Sequence, residues 1–292
     1  MSGVISKCWQ SGALDLVGGM EGPIDGPAVV MLHGGGQTRH AWAGASARLA
    51  QLGYCVIRYD ARGHGDSDWD PDRDYGLDAL ASDLDVIIAS IGRPVALVGA
   101  SLGGLTSFYA LGRRRPACAE ALVLVDVVLR PEADGVQRIK SFMTAHPDGF
   151  TTLEEVADAI AAYNPTRHRP RNLAGLMKNV RLGNDGRYRW HWDPALLDDH
   201  TSLAAREAFL VSVSGGVTVP TLVLFGELSD VVGAAGIDGM HRLLPQTNFE
   251  RIDGAGHMIA GDRNDAFAAA TARFLLRHFP PLHAPGRLSV AG

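Results

Sequence analysis

The sequence predicts a doubly wound α/β protein interrupted by a mainly helical insertion. Three observations carry that prediction. Short, nearly continuous apolar runs recur along the chain, at Val29 to Leu32, Cys55 to Tyr59, Val95 to Val98, Leu122 to Val125, Thr221 to Phe225 and Phe249 to Ile252. Strands that read this way are buried on both faces, as in a parallel sheet. Helical patterns lie between these runs, and the alternation stops after Val125 and resumes only at Thr221.

The elements can be taken in order. Val4 to Trp9 and Leu14 to Val17, with Ser11-Gly12 between them, read as a hairpin at one sheet edge. Leu77, Leu80, Leu84, Ile87, Ile88 and Ile91 keep one apolar stripe at helical spacing, while Asp78, Asp83 and Asp85 fall off it. Leu105 through Leu111 reads as a further helix after the Val95 strand. From about Arg130 to Ser214 there are helix patterns, prolines and one aromatic-rich piece, Arg187 to Trp192, but no convincing buried strand. Thr152-Leu153-Glu154-Glu155 is a capping box opening a helix through Tyr163. The expected organisation is therefore a core of residues 1–129 and 215–279, a helical cap of residues 130–214, and a flexible Pro/Gly-containing tail of residues 280–292.

Composition narrows the functional classes. The 292 residues are 46% hydrophobic and 20% charged, which suits an ordinary globular protein. The net charge of −5 is spread along the chain without a basic stripe, so nucleic acid is not the expected partner; Arg113-Arg114-Arg115 reads as a solvated helix end. Three cysteines, Cys8, Cys55 and Cys118, form no C-x-x-C pair and signal neither a zinc site nor a disulfide scaffold. The N-terminal stretch has no signal-peptide pattern, and no apolar run approaches a membrane span; a cytoplasmic protein with no membrane partner is expected. Homo-oligomerisation is left open.

The chemistry begins at Gly99-Ala100-Ser101-Leu102-Gly103-Gly104. A serine on a sharp strand-to-helix turn is pushed out of the backbone, and glycine neighbours avoid the resulting collisions. Alone, this G-x-S-x-G pattern is a weak signal. It gains weight from its partners, because a serine hydroxyl needs a base to take its proton and the base needs an acid to hold its tautomer. His257, on a glycine-containing loop just past the last strand, is the candidate base. Two aspartates compete for the acid: Asp230, five residues beyond the Thr221 strand, and Asp126, at the end of the Leu122 strand. Asp230 is preferred, with Asp126 capping the start of the insertion; Glu227 and Asp253 are weaker contenders. Backbone N–H groups of Leu102 and Gly35 are the candidate oxyanion donors, with Gly36 an alternative to Gly35. A phosphate-binding reading of His33-Gly34-Gly35-Gly36 fails at its third glycine, which is Arg39, and no Walker-type Gly-Lys-Ser/Thr occurs.

Taken together, MLHGGGQTRHAW at 31–42, YDARGHGDSD at 59–68, LVGASLGG at 97–104, LVLFGELSDVV at 222–232 and IDGAGHMI at 252–259 resemble the α/β-hydrolase superfamily in the family's order. The resemblance implies a mostly parallel eight-stranded sheet, a helical cap, no metal and no organic cofactor. It also implies a structural role for the Asp60 to Ser67 turn, with Asp60 and Arg62 fixing loops. Relatives that dehalogenate haloalkanes or open epoxides carry aspartate at the nucleophile position, so Ser101 points instead to an esterase, thioesterase or lactonase acting on a small, apolar substrate. C–C bond hydrolysis and perhydrolysis use the same triad, and a small-molecule receptor with a vestigial site is the alternative of another class. Phe142, Met143, Tyr163, Trp190 and Trp192 either line an apolar pocket or pack the insertion's own core.

Overall fold

In the computed structural model, residues 3–113, 119–165, 173–198, 201–259 and 264–281 are described. Cys118, Arg114, Arg115 and nearly all of the expected tail lie outside them. Eight strands form one sheet: β1 (Ile5–Ser11), β2 (Leu14–Glu21), β3 (Ala28–Leu32), β4 (Cys55–Tyr59), β5 (Val95–Ala100), β6 (Ala119–Val125), β9 (Thr221–Gly226) and β10 (Thr247–Ile252). Their order is β1-β2-β4-β3-β5-β6-β9-β10. The β1–β2 hairpin pairs antiparallel with β4 at one edge, and the other strands run parallel.

The continuous apolar runs have a direct cause: each face of the sheet is covered. Val30, Leu32, Val95 and Leu97 face one cluster, packed by α2 (Leu77–Ile91), α3 (Leu102–Arg113), α6 (Leu203–Val213) and α7 (Ala234–Leu243). Val29, Met31, Ala96 and Val98 point the other way, against α1 (Ala43–Gln51) and α8 (Asn264–His278). Full burial of each Val, Leu or Ile stabilises the fold by about 1.5–3 kcal/mol. The stripe predicted for α2 is the buried one, and the helix stops where Gly92 takes a left-handed φ of 67°.

Between β6 and β9 the chain leaves the sheet. Residues there form α4 (Ala133–Thr144), α5 (Leu153–Tyr163) and α6, with an aromatic cluster of their own. Thr152 caps α5 by accepting from Glu155 N–H, as the sequence pattern requires, but the Glu155 carboxylate turns back one residue further, to the N–H and hydroxyl of Thr151. The region holds no strand of the buried kind, but it does contain a small antiparallel pair, β7 (Val180–Leu182) and β8 (Tyr188–Trp190), of whose residues only Val180 and Trp190 are buried. Three-residue strands are too short to announce themselves by an apolar run. Among the described residues, no helix is long and apolar enough to cross a membrane.

Candidate active site

Parallel strands place their carboxyl ends on one edge of the sheet, where α/β proteins bind ligands. Ser101 follows β5 directly and α3 begins at the next residue. Its φ of 45° is left-handed, rare for a non-glycine residue, and marks strain held at a sharp turn. The neighbouring glycines permit that turn. A side chain on Gly99 would collide with the backbone of Gly103, and one on Gly103 would stand 2.5 Å from the Leu32 carbonyl oxygen.

Asp126 follows β6 with the same kind of backbone, at φ 55°. Its N–H donates to Leu224 O at 2.7 Å, and the Ser101 N–H donates to Val125 O at 3.2 Å, so both residues are pinned across adjacent strands. The Asp126 carboxylate is buried and accepts three hydrogen bonds: from Gly226 N–H at 3.0 Å, from the Ser229 hydroxyl at 2.6 Å and from His257 Nδ1 at 2.7 Å. The third bond fixes the His257 tautomer, with the proton on Nδ1 and the Nε2 lone pair free for a hydroxyl proton.

The sequence preference for Asp230 is thereby corrected. Asp230 is hydrogen-bonded at 2.7 Å to Arg138 on α4, which joins the insertion to the loop after β9, and Ser229 rather than Asp230 reaches into the site. Both loops end at the same sheet edge and both keep the chain order Ser, Asp, His, so sequence order could not separate them. Glu227 has a different part: its carboxylate accepts from Gly254 N–H at 2.8 Å and holds the His257 loop, which packs so closely on β9 that Gly226 has no room for a Cβ. Asp253 sits in an exposed ion pair with Arg251.

The Gly34 to Gly36 loop faces Ser101, with a Cβ on Gly34 falling 3.3 Å from the Ser101 Cβ. Gly36 is removed as an oxyanion donor because its N–H donates to His64 Nε2 at 3.1 Å. Leu102 is the first residue of α3, where N–H groups have no partner within the helix.

His33 and His64, in the loops after β3 and β4, meet His191 of the insertion, an approach that no sequence motif announces. The rings of His33 and His64 lie 5.0 Å apart, and those of His64 and His191 6.0 Å apart. Burial lowers all three from the usual histidine value, His33 to about 4 and His64 and His191 to about 3. Asp60 and Arg62 hold loops as expected. Asp60 accepts from the Arg39 N–H and guanidinium and from Asp66 N–H, while Arg62 grips Asp83 through two 2.7 Å bonds and Asp70 through a third.

Ser101, Asp126, His257, Gly35 and Leu102 line one cavity of about 1280 Å³. Its far wall belongs to the insertion. Phe142 stacks on Tyr163 at 4.3 Å between ring centres, and Trp190 stacks on Trp192 at 4.8 Å. Both readings of these aromatics are met: Phe142, Trp190 and Trp192 pack the insertion's apolar cluster, and all four rings and Met143 border the cavity.

Comparison with known proteins agrees with this fold. A family model described as alpha/beta hydrolase fold matches residues 27–263. The sn-1-specific diacylglycerol lipase ABHD11 of Mus musculus is 29% identical over 273 residues, covering 88% of this chain and 83% of the mouse protein. The probable protein phosphatase methylesterase 1 of Caenorhabditis elegans is 24% identical over 269 residues, covering 87% of this chain and 70% of its own. The crystal structure of E-2-(acetamidomethylene)succinate hydrolase superposes with a TM-score of 0.82 at 24% identity, covering 94% of this chain and 99% of that one, a likeness of fold. The chain belongs to the α/β-hydrolase family, among relatives that include esterases.

Proposed function

We propose that this protein is a serine hydrolase that cleaves a small-molecule carboxylic ester, thioester or lactone through an acyl-enzyme on Ser101. The observation that carries the reading is the 2.7 Å bond from His257 Nδ1 to the buried Asp126 carboxylate, in the same cavity as a serine on a left-handed turn. His257 Nε2 takes the Ser101 proton as Oγ attacks the acyl carbon, and the imidazolium formed is stabilised by Asp126. The N–H groups of Leu102 and Gly35 receive the developing oxyanion. His257 then protonates the leaving group, and water, activated the same way, attacks the acyl-enzyme, frees the acid and restores Ser101. The insertion acts as a cap over the site, and its aromatic wall favours an apolar acyl or alcohol portion. The ester-cleaving activities named for the mouse and nematode relatives support the bond class.

Hydrolysis of p-nitrophenyl acetate and butyrate tests the reading. Ser101→Ala should lower kcat by a factor on the order of 10⁴ to 10⁶ with the circular dichroism spectrum unchanged. Turnover that survives the substitution refutes it.

A further inference from the structure

Three consecutive peptide units of the loop opposite Ser101 are each held by a different histidine. The Gly34 carbonyl accepts from His33 Nδ1 at 2.8 Å, the Gly36 N–H donates to His64 Nε2 at 3.1 Å, and the Gly36 carbonyl accepts from His191 Nε2 at 3.3 Å. The opposite nitrogen of each ring is also engaged. His33 Nε2 accepts from Ala61 N–H, His64 Nδ1 donates to Arg62 O, and His191 Nδ1 accepts from Gly65 N–H at 2.8 Å. Each ring thus meets one backbone N–H and one backbone carbonyl, a pairing that only a neutral imidazole of one tautomer can satisfy.

In a trans peptide, C=O and N–H point in opposite directions, so pinning the Gly34 carbonyl aims the Gly35 N–H, and pinning Gly36 on both sides stops the next two units from rotating. Two of the three histidines belong to the core. His191 belongs to the insertion and lies in sequence between Trp190 and Trp192, whose rings stack on each other and wall the cavity. The same short stretch is tied to the core again by Asp193, whose N–H donates to Gly63 O at 2.9 Å and whose carboxylate accepts from the Tyr75 hydroxyl at 2.5 Å.

We infer that His191 is a positioning residue that couples the substrate-binding wall of the insertion to the oxyanion loop, so that the Gly35 N–H is correctly aimed only when the Trp190 to Asp193 segment is seated. The inference rests on the hydrolase reading above and extends it to the control of that site. Displacing an oxyanion donor should lower the chemical step while leaving apolar binding of the substrate nearly intact.

The test is the rate at which Ser101 is labelled by a fluorophosphonate, together with kcat and KM for p-nitrophenyl butyrate, in three variants. His191→Phe keeps the ring and loses both bonds. His191→Asn keeps an acceptor for Gly65 N–H but is too short for Gly36 O, and His191→Gln can donate to Gly36 O. The expected result is a labelling rate and kcat lowered about 10- to 100-fold in the Phe and Asn variants, KM within about twofold, and substantial recovery in the Gln variant. Wild-type labelling rates in both Phe and Asn variants, or a Gln variant as slow as Phe, overturn the role of His191. Failure of the wild-type protein to label at Ser101 instead overturns the hydrolase reading beneath it.

Discussion

His257 Nδ1 donates to the Asp126 carboxylate at 2.7 Å, across 131 positions of sequence, whereas Asp230 pairs with Arg138, so the proposed mechanism takes Asp126 as the acid that orients His257. A carboxylate buried among three donors has no other group to serve, because Gly226 N–H and the Ser229 hydroxyl only hold it in place. Asp126→Asn should lower kcat for p-nitrophenyl esters about 10⁴-fold, since the amide favours the wrong histidine tautomer. Asp230→Asn removes only a partly exposed ion pair with Arg138 and should leave kcat within about twofold. Steady-state kinetics of the two variants side by side decide between them, and the opposite ranking would return the acid to Asp230.

The elbow makes a stability prediction. A methyl group on Gly103 would meet the carbonyl oxygens of Leu32 and His33 at 2.5 and 2.6 Å, both backbone atoms that cannot rotate away. Gly103→Ala should therefore cost about 1–3 kcal/mol and lower the thermal midpoint by several degrees. Gly215→Ala has nothing within 4 Å of its new methyl and should change stability by less than about 0.5 kcal/mol. Equal midpoints for the two variants would count against the close packing of α3 on the end of β3.

The three loop histidines make a pH prediction. Their folded pKa values, about 4 for His33 and about 3 for His64 and His191, lie below the unfolded value near 6.5. The unfolded chain therefore takes up protons first as pH falls, so stability is fully present above about pH 6.5 and is lost progressively below it, toward pH 3 to 4. Burial is the main cause, and Arg39 beside His33 and Arg181 beside His191 add to it, while Asp60 near His64 and His191 works against it. Unfolding free energies from urea titrations at pH 7.5, 6 and 5 should fall, by about 1 kcal/mol per pH unit below pH 6.5 for each histidine that stays neutral. A flat profile over that range would mean that these rings are charged or exposed in solution.

Much of the fold was legible because a sheet buried on both faces leaves uninterrupted apolar runs, and all six that were read lie within observed strands. Ser101 and His257 were legible because glycines mark the turns that present them. What was not legible depends on contacts between distant loops. Asp126 and Asp230 both follow strands that end at the same edge, and only the rotamer of Ser229 and the position of the His257 loop separate them. His191 was hidden in an aromatic piece read only for its rings. The period-two alternation of Tyr188, Trp190 and Trp192 against Arg189 and His191 was the available signal of a strand there.

A buried ion cluster supports the loop after β4. Arg62 is engaged by Asp83 and Asp70 with little exposure of any of the three side chains. Arg62→Ala leaves the Asp83 carboxylate buried without its counter-charge and should destabilise the fold by about 3–5 kcal/mol, measured by urea unfolding. A loss below about 1 kcal/mol would show that water replaces the guanidinium.

In the proposed mechanism, Ser101 becomes acylated with help from Asp126 through His257. The most direct test is intact-mass and peptide mapping of the protein after brief exposure to a fluorophosphonate. One adduct on Ser101 is expected, formed at the wild-type rate in Asp230→Asn, at least a hundredfold more slowly in Asp126→Asn, and not at all in Ser101→Ala. An adduct elsewhere, or one whose rate is insensitive to Asp126, would contradict the roles proposed for Ser101 and Asp126.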